Sequence, residues 1–126
     1  MNKPTERELE ILQILWTKGP ATVREVHTEL SQKGEIGYTT ALKLMQIMFD
    51  KGFLDRTKTG KTHTYRPLVN QEETGKQMVD RLMSTVFEGS AMKLVMQALG
   101  NRKSSAEELR KIKSFIERLE NEANDE

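Results

Sequence analysis

The chain has 126 residues, of which 36% are apolar and 31% charged, with a formal net charge of +1 and no cysteine. This length suffices for one compact domain of about 70 residues plus an appended module, and so lightly stocked a core gains from a second apolar surface buried between subunits. The missing cysteine excludes disulfides, zinc-finger ligation and thiol chemistry, and no apolar run approaches the roughly 20 residues that cross a bilayer. The polar start from Met1 to Arg7 has no signal-peptide pattern, so a cytoplasmic location is expected.

Thr5-Glu6-Arg7-Glu8 is a capping box, in which the threonine oxygen accepts from the amide three residues on and the glutamate reaches back. Behind it Leu9, Ile11, Leu12, Leu15 and Trp16 predict an amphipathic helix of about twelve residues, stopped by Gly19-Pro20. Thr22-Val23-Arg24-Glu25 repeats the box, and Val23, Val26 and Leu30 line a short second helix ending near Gly34. A third helix is expected from the Gly37-Tyr38-Thr39-Thr40 segment to Lys51, closed by Gly52. Residues 53–58 and 62–67 flank Thr59-Gly60-Lys61 and predict a β-hairpin whose Pro67 suits the end of an edge strand.

From Gln71 onward the pattern is helical. Met78, Val79, Leu82, Met83, Val86 and Phe87 form one apolar stripe, broken at Gly89-Ser90. A short helix carrying Met92, Leu94, Val95, Met96, Ala98 and Leu99 follows and stops at Gly100. Ser105-Ala106-Glu107-Glu108 reads as a third capping box, and Leu109, Ile112, Ile116, Leu119 and Ala123 recur at heptad-like spacing. Fraying is expected from Glu120 to Glu126. The fold class expected is mostly α with a small β-hairpin: a winged helix-turn-helix over residues 1–70 and a helical dimerisation tail over 71–126.

The small net charge hides an asymmetry. Residues 1–68 hold 11 basic and 8 acidic side chains, whereas residues 69–126 hold 9 and 11. Within 51–66, Lys51, Arg56, Lys58, Lys61 and Arg66 face a single Asp55, as expected of a segment that contacts nucleic acid. Thr39, Lys43, Gln46 and Asp50, spaced 4, 3 and 4 apart, form a polar stripe on an otherwise apolar third helix. A recognition helix needs this arrangement. Thr39 and Thr40 suit a phosphate or base edge at the helix start, Lys43 can reach guanine or a phosphate, and Gln46 can read adenine. Ile47 flanks the stripe and can meet a thymine methyl. Lys58, Lys61 and Thr62 make a cationic hairpin tip suited to phosphates or the minor groove. An ordinary amphipathic helix with a solvated face, beside a solvated hairpin, fits the same pattern.

Catalytic and metal-binding readings find little to use. His27 and His63 have no metal-ligand spacing, and Gly60-Lys61-Thr62 lacks both the earlier glycine and the following helix of a phosphate-binding loop. No enzyme activity, metal or cofactor is expected. A winged-helix protein–protein interaction module without sequence-specific DNA binding is the alternative, and the third-helix stripe with its basic wing is what such a module would not need.

The order of these segments resembles the penicillinase-repressor family, the BlaI/MecI/CopY group. The likeness rests on Pro4-Thr5-Glu6 with Leu9 and Trp16, Thr22-Val23-Arg24-Glu25-Val26, Tyr38-Thr39-Thr40, Lys51-Gly52-Phe53-Leu54, Gly60-Lys61 and Tyr65-Arg66-Pro67. It implies a homodimer on a near-palindromic double-stranded operator, relieved when a membrane-bound metallopeptidase sensor triggers cleavage of the tail. The subunit contact would fall on Val79, Leu82, Met83, Val86, Leu109, Ile112, Ile116 and Leu119. The copper-responsive branch uses a cysteine cluster, which this chain lacks. Many relatives carry Arg where Ile47 stands. Alignment on Ser105-Ala106-Glu107-Glu108 puts the tail cleavage region at Gln97-Ala98, where the Asn-Phe pair of the staphylococcal repressors is not retained.

Overall fold

The computed structural model describes residues 3–125, so Met1 and Asn2 of the polar start and Glu126, the last residue of the segment expected to fray, lie outside the described residues. Helices α1 (Glu6–Lys18), α2 (Val23–Ser31) and α3 (Tyr38–Asp50) precede strands β2 (Leu54–Thr59) and β3 (Thr62–Pro67), with a two-residue strand β1 (Ala21–Thr22) between α1 and α2. Helices α4 (Gln71–Val86), α5 (Ala91–Gly100) and α6 (Ala106–Asn124) complete the chain. The chain forms two compact units, residues 1–78 and 79–126.

Both expected capping boxes at the start are made. Thr5 Oγ1 accepts from the Glu8 amide at 3.2 Å while Glu8 Oε1 accepts from the Thr5 amide at 2.9 Å. Thr22 and Glu25 repeat these distances at the start of α2. At Ser105 only one half forms, the hydroxyl accepting from the Glu108 amide at 3.0 Å. Each cap satisfies an amide that the first helical turn leaves open.

The buried core of the first unit is one cluster. Ile11, Leu12 and Leu15 of α1, Val26 and Leu30 of α2, and Ala41, Met45 and Met48 of α3 pack with Phe53, just before β2, and with Leu54 and Tyr65 of the sheet. Trp16 reaches across the unit, its indole Nε1 donating to the Val69 carbonyl at 2.9 Å, and so fixes the chain leaving β3 against α1.

The sheet differs from the expected hairpin. It has three strands in the order β1-β3-β2, all antiparallel. Ala21 pairs with Tyr65 and Thr22 with Thr64, so β3 is central. Pro67 is tolerated because it is the last residue of β3, opposite Leu54, where its missing N–H interrupts nothing further. β1 escapes the sequence because two residues carry no alternation, and Thr22 also serves as the α2 cap.

Smaller differences have local causes. α2 ends at Ser31 rather than near Gly34, since Gln32 and Lys33 turn back onto the Glu29 and Leu30 carbonyls. Gly100 closes α5 from inside, with Asn101 as its cap. α6 stays helical through Asn124, past the expected start of fraying, and the Asp125 amide still donates to the Asn121 carbonyl. Glu120, Glu122 and Ala123 are good helix formers, which carries the turn on.

Candidate nucleic-acid interface

α3 divides cleanly into two faces. Ala41, Met45 and Met48 are fully buried, while Thr39, Thr40, Lys43, Gln46 and Asp50 are exposed and Ile47 is 37% exposed. The polar stripe therefore stands outward because the opposite side of the same helix is held in the core. Its start is open: Gly37 is the cap residue and supplies no side-chain hydrogen bond, unlike the threonine caps of α1 and α2. The first amides of α3 are left with the partial positive charge of a helix N-terminus.

The hairpin tip is a two-residue turn between the paired Thr59 and Thr62. Gly60 sits at φ +64°, while Lys61 keeps an ordinary negative φ, the pattern of a type II′ turn. Thr62 Oγ1 is spent inside the turn, donating to the Thr59 carbonyl at 3.1 Å. Lys58 and Lys61 are exposed and enter none of the ion pairs among the described residues. The other basic residues of this segment are engaged. Arg66 pairs with Asp55 across the strands, and Arg56 lies over the Phe49 ring at 4.0 Å.

Polar contacts hold α3 at both ends. Lys51, its C-cap, donates to both oxygens of Glu8 at 2.9 and 3.2 Å, tying the end of α3 to the start of α1. Burial alone would push the Glu8 carboxyl up. Hydrogen bonds from the Thr5 amide and Lys51, the Lys51 charge and the Thr5 hydroxyl outweigh that and hold it below the usual carboxylate range. Glu25 is also held low, by hydrogen bonds from the Thr22 amide and hydroxyl against a smaller upward push of burial, with Lys18 adding its charge. At the other end His27 Nε2 lies 2.7 Å from the Ile36 carbonyl, which can only accept, so Nε2 carries the proton. The sequence offers Glu8 as a capping partner and Lys51 as one of five basic residues. Their mutual contact, 43 positions apart, has no local signature.

In the second unit apolar side chains stand outward. Leu109, Ile116 and Leu119 of α6 are each 45% exposed, and Ile112 is half-buried. On α4, Val79, Leu82 and Val86 are exposed and Met83 is half-buried. Phe115, absent from the expected seam, is equally open and carries Arg118 over its ring at 5.1 Å. Gln97 and Ala98 are exposed on α5. No described helix is long and apolar enough to cross a membrane.

Comparison with known proteins agrees with this architecture. The chain is 23% identical over 109 residues to the methicillin resistance regulatory protein MecI of Staphylococcus aureus strain N315, covering 86% of this chain and 89% of that one. It is 22% identical over 117 residues to the penicillinase repressor of Bacillus licheniformis, covering 93% and 91%. The crystal structure of the transcriptional regulator Tm0710 from Thermotoga maritima has a similar fold, with a TM-score of 0.54 at 18% identity over 94% of this chain and 75% of that one. Helix, strand, two helices and a two-stranded wing make residues 6–67 a winged helix-turn-helix. The penicillinase repressor family model matches residues 4–118, nearly the whole of both units, and the chain belongs to that family.

Proposed function

We propose that the chain is a transcriptional repressor that binds duplex DNA as a homodimer, placing α3 in the major groove of each half of a near-palindromic operator. The observation that carries this reading is the α3 stripe, with Thr39, Thr40, Lys43, Gln46 and Ile47 outward while Ala41, Met45 and Met48 lock the same helix into the core. The stripe presents hydroxyl, ammonium and amide groups suited to base edges and phosphates, and α3 is buttressed at its end by Lys51 and just before its start by Ile36. The tip carrying Lys58 and Lys61 adds cations for the flanking backbone, with Thr62 bracing the turn. The apolar faces of α4 and α6 supply the subunit contact, through Val79, Leu82, Met83, Val86, Leu109, Ile112, Ile116 and Leu119.

Relief of repression by a membrane-bound metallopeptidase sensor is the corresponding induction route. Gln97 and Ala98 are accessible for cleavage, in a ten-residue helix with no buried residue. That helix needs little energy to unwind into the extended form a protease takes.

Fluorescence anisotropy on a random duplex and on duplexes selected from a randomised pool tests the reading. Affinity should fall steeply with salt, and a variant that neutralises one phosphate fewer should show a log–log slope lower by about 0.9. Lys43→Ala and Gln46→Ala should each lose about 1–3 kcal/mol of discrimination between selected and random duplex. Unchanged sequence preference in both variants would remove α3 as the reading helix.

A further inference from the structure

Helix α2 contributes to the same face a group that the stripe and the wing do not explain. Arg24 lies in the first turn of α2, where the helix dipole disfavours a cation. It is exposed and enters none of the ion pairs among the described residues. Its guanidinium is nevertheless placed, 5.4 Å from the centroid of the Tyr38 ring. Tyr38 is the first residue of α3, next to Thr39 and the uncapped helix start. The ring is held in turn: His27, one turn along α2 from Arg24, meets it edge-on at a centroid distance of 5.8 Å. His27 is itself anchored by its hydrogen bond to the Ile36 carbonyl, with Ser31 Oγ 3.3 Å from the same nitrogen.

We propose that the Arg24–Tyr38 pair is a DNA phosphate contact beside the reading helix, with His27 as its positioning residue. This rests on the reading of α3 as the helix that enters the major groove. A guanidinium held over a ring by its charge keeps N–H donors free, and their fork matches two phosphate oxygens. A phosphate set there also faces the open amides at the start of α3. The order Ile36 carbonyl, His27, Tyr38, Arg24 thus runs from a fixed backbone atom to a free cation. The ligand is the DNA backbone, so the contact sets affinity and register without choosing a base.

Anisotropy titrations of the full chain on random duplex, repeated over a range of salt, test this. Arg24→Ala should weaken binding several-fold at low salt and lower the salt slope by about 0.9 per site, with the selected-to-random preference retained. Arg24→Lys keeps the charge but not the planar fork and should recover only part of the affinity. His27→Phe keeps the edge contact with Tyr38 but loses the donor, and His27→Gln restores a donor. In the His27→Phe background, removing Arg24 should therefore have a smaller effect, and in the His27→Gln background the effect should return toward that in wild type, with Trp16 emission unchanged throughout. A wild-type protein that binds duplex with the expected slope while Arg24→Ala changes neither affinity nor slope overturns the phosphate contact alone. Wild-type protein that binds no duplex overturns the reading of α3 itself.

Discussion

Among individual residues, Glu8 is a charged side chain buried in the first unit and paired with Lys51. It is 2% exposed and charged, and it is kept so by the Thr5 amide and by Lys51. Removing the ammonium leaves a buried carboxylate short of a partner, so Lys51→Ala should destabilise the first unit by about 1–3 kcal/mol. Trp16 is the sole tryptophan and lies in that unit, so its emission in a urea titration reports the change without interference from the tail. The sign of the pH dependence follows from the direction of the Glu8 shift. Its folded carboxyl ionises below its unfolded one, so across that window the unfolded chain binds more protons and stability rises with pH. The contribution is complete above the ordinary glutamate range and is lost as pH falls through the folded value. The wild-type advantage over Glu8→Gln should accordingly shrink on acidification. A difference that stayed constant down to the acid limb would show that Glu8 does not ionise differently in the two states.

The helices and the wing were legible to different degrees, and the reason is how much of each lies in local sequence. Thr5-Glu8 and Thr22-Glu25 mark helix starts within four residues, and α1 and α3 begin and end within a residue or so of expectation. The outward stripe of α3 was legible because Ala41, Met45 and Met48 fix its inner face by spacing alone. β1 was not, because its two residues become a strand only through pairing with Thr64 and Tyr65, more than forty positions away. The Glu8–Lys51 and His27–Ile36 contacts are likewise tertiary. The wing was half legible: Gly60 announces a turn, and the tightness of that turn comes from its φ of +64°. No heavy atom lies within 4 Å of a Cβ built on Gly60, so conformation is the whole cost of substitution there. Gly60→Val should destabilise the first unit by about 1–3 kcal/mol through backbone strain alone. It should also splay Lys58 and Lys61 and lower the affinity for random duplex. Intact stability by Trp16 emission would show that the turn relaxes to another type without cost.

At the scale of the molecule, the two units solve burial differently. In the first, every large buried side chain among the described residues lies between Glu8 and Tyr65, and together they form one core. In the second, α5 and α6 hold no buried residue, and α4 holds only Thr74, on the first-unit side of the boundary. Of the fourteen exposed large hydrophobics among the described residues, eleven lie in α4–α6. Burying each such side chain fully is worth about 1.5–3 kcal/mol, so a surface of this kind is unstable in water without a cover. A second copy of the same face is the simplest one, since a two-fold axis matches each stripe to itself. In the proposed homodimer that axis would also relate two α3 helices, turning the second half-site contact into an intramolecular event, with half-sites about one helical turn of DNA apart. Ile112→Asp or Ile116→Asp places a charge in the α6 seam, and sedimentation should then show monomers where the wild type shows dimers. Operator affinity should collapse while binding to a single half-site survives, because α3 and its supports lie wholly in the first unit. A fragment of residues 1–78 should fold alone, keep the Trp16 emission of the full chain and bind a half-site with the same affinity as the aspartate variants. Wild-type protein that sediments as a monomer at about tens of micromolar, a concentration at which subunits of an obligate dimer stay paired, would remove both the dimer and the palindrome inferred from it.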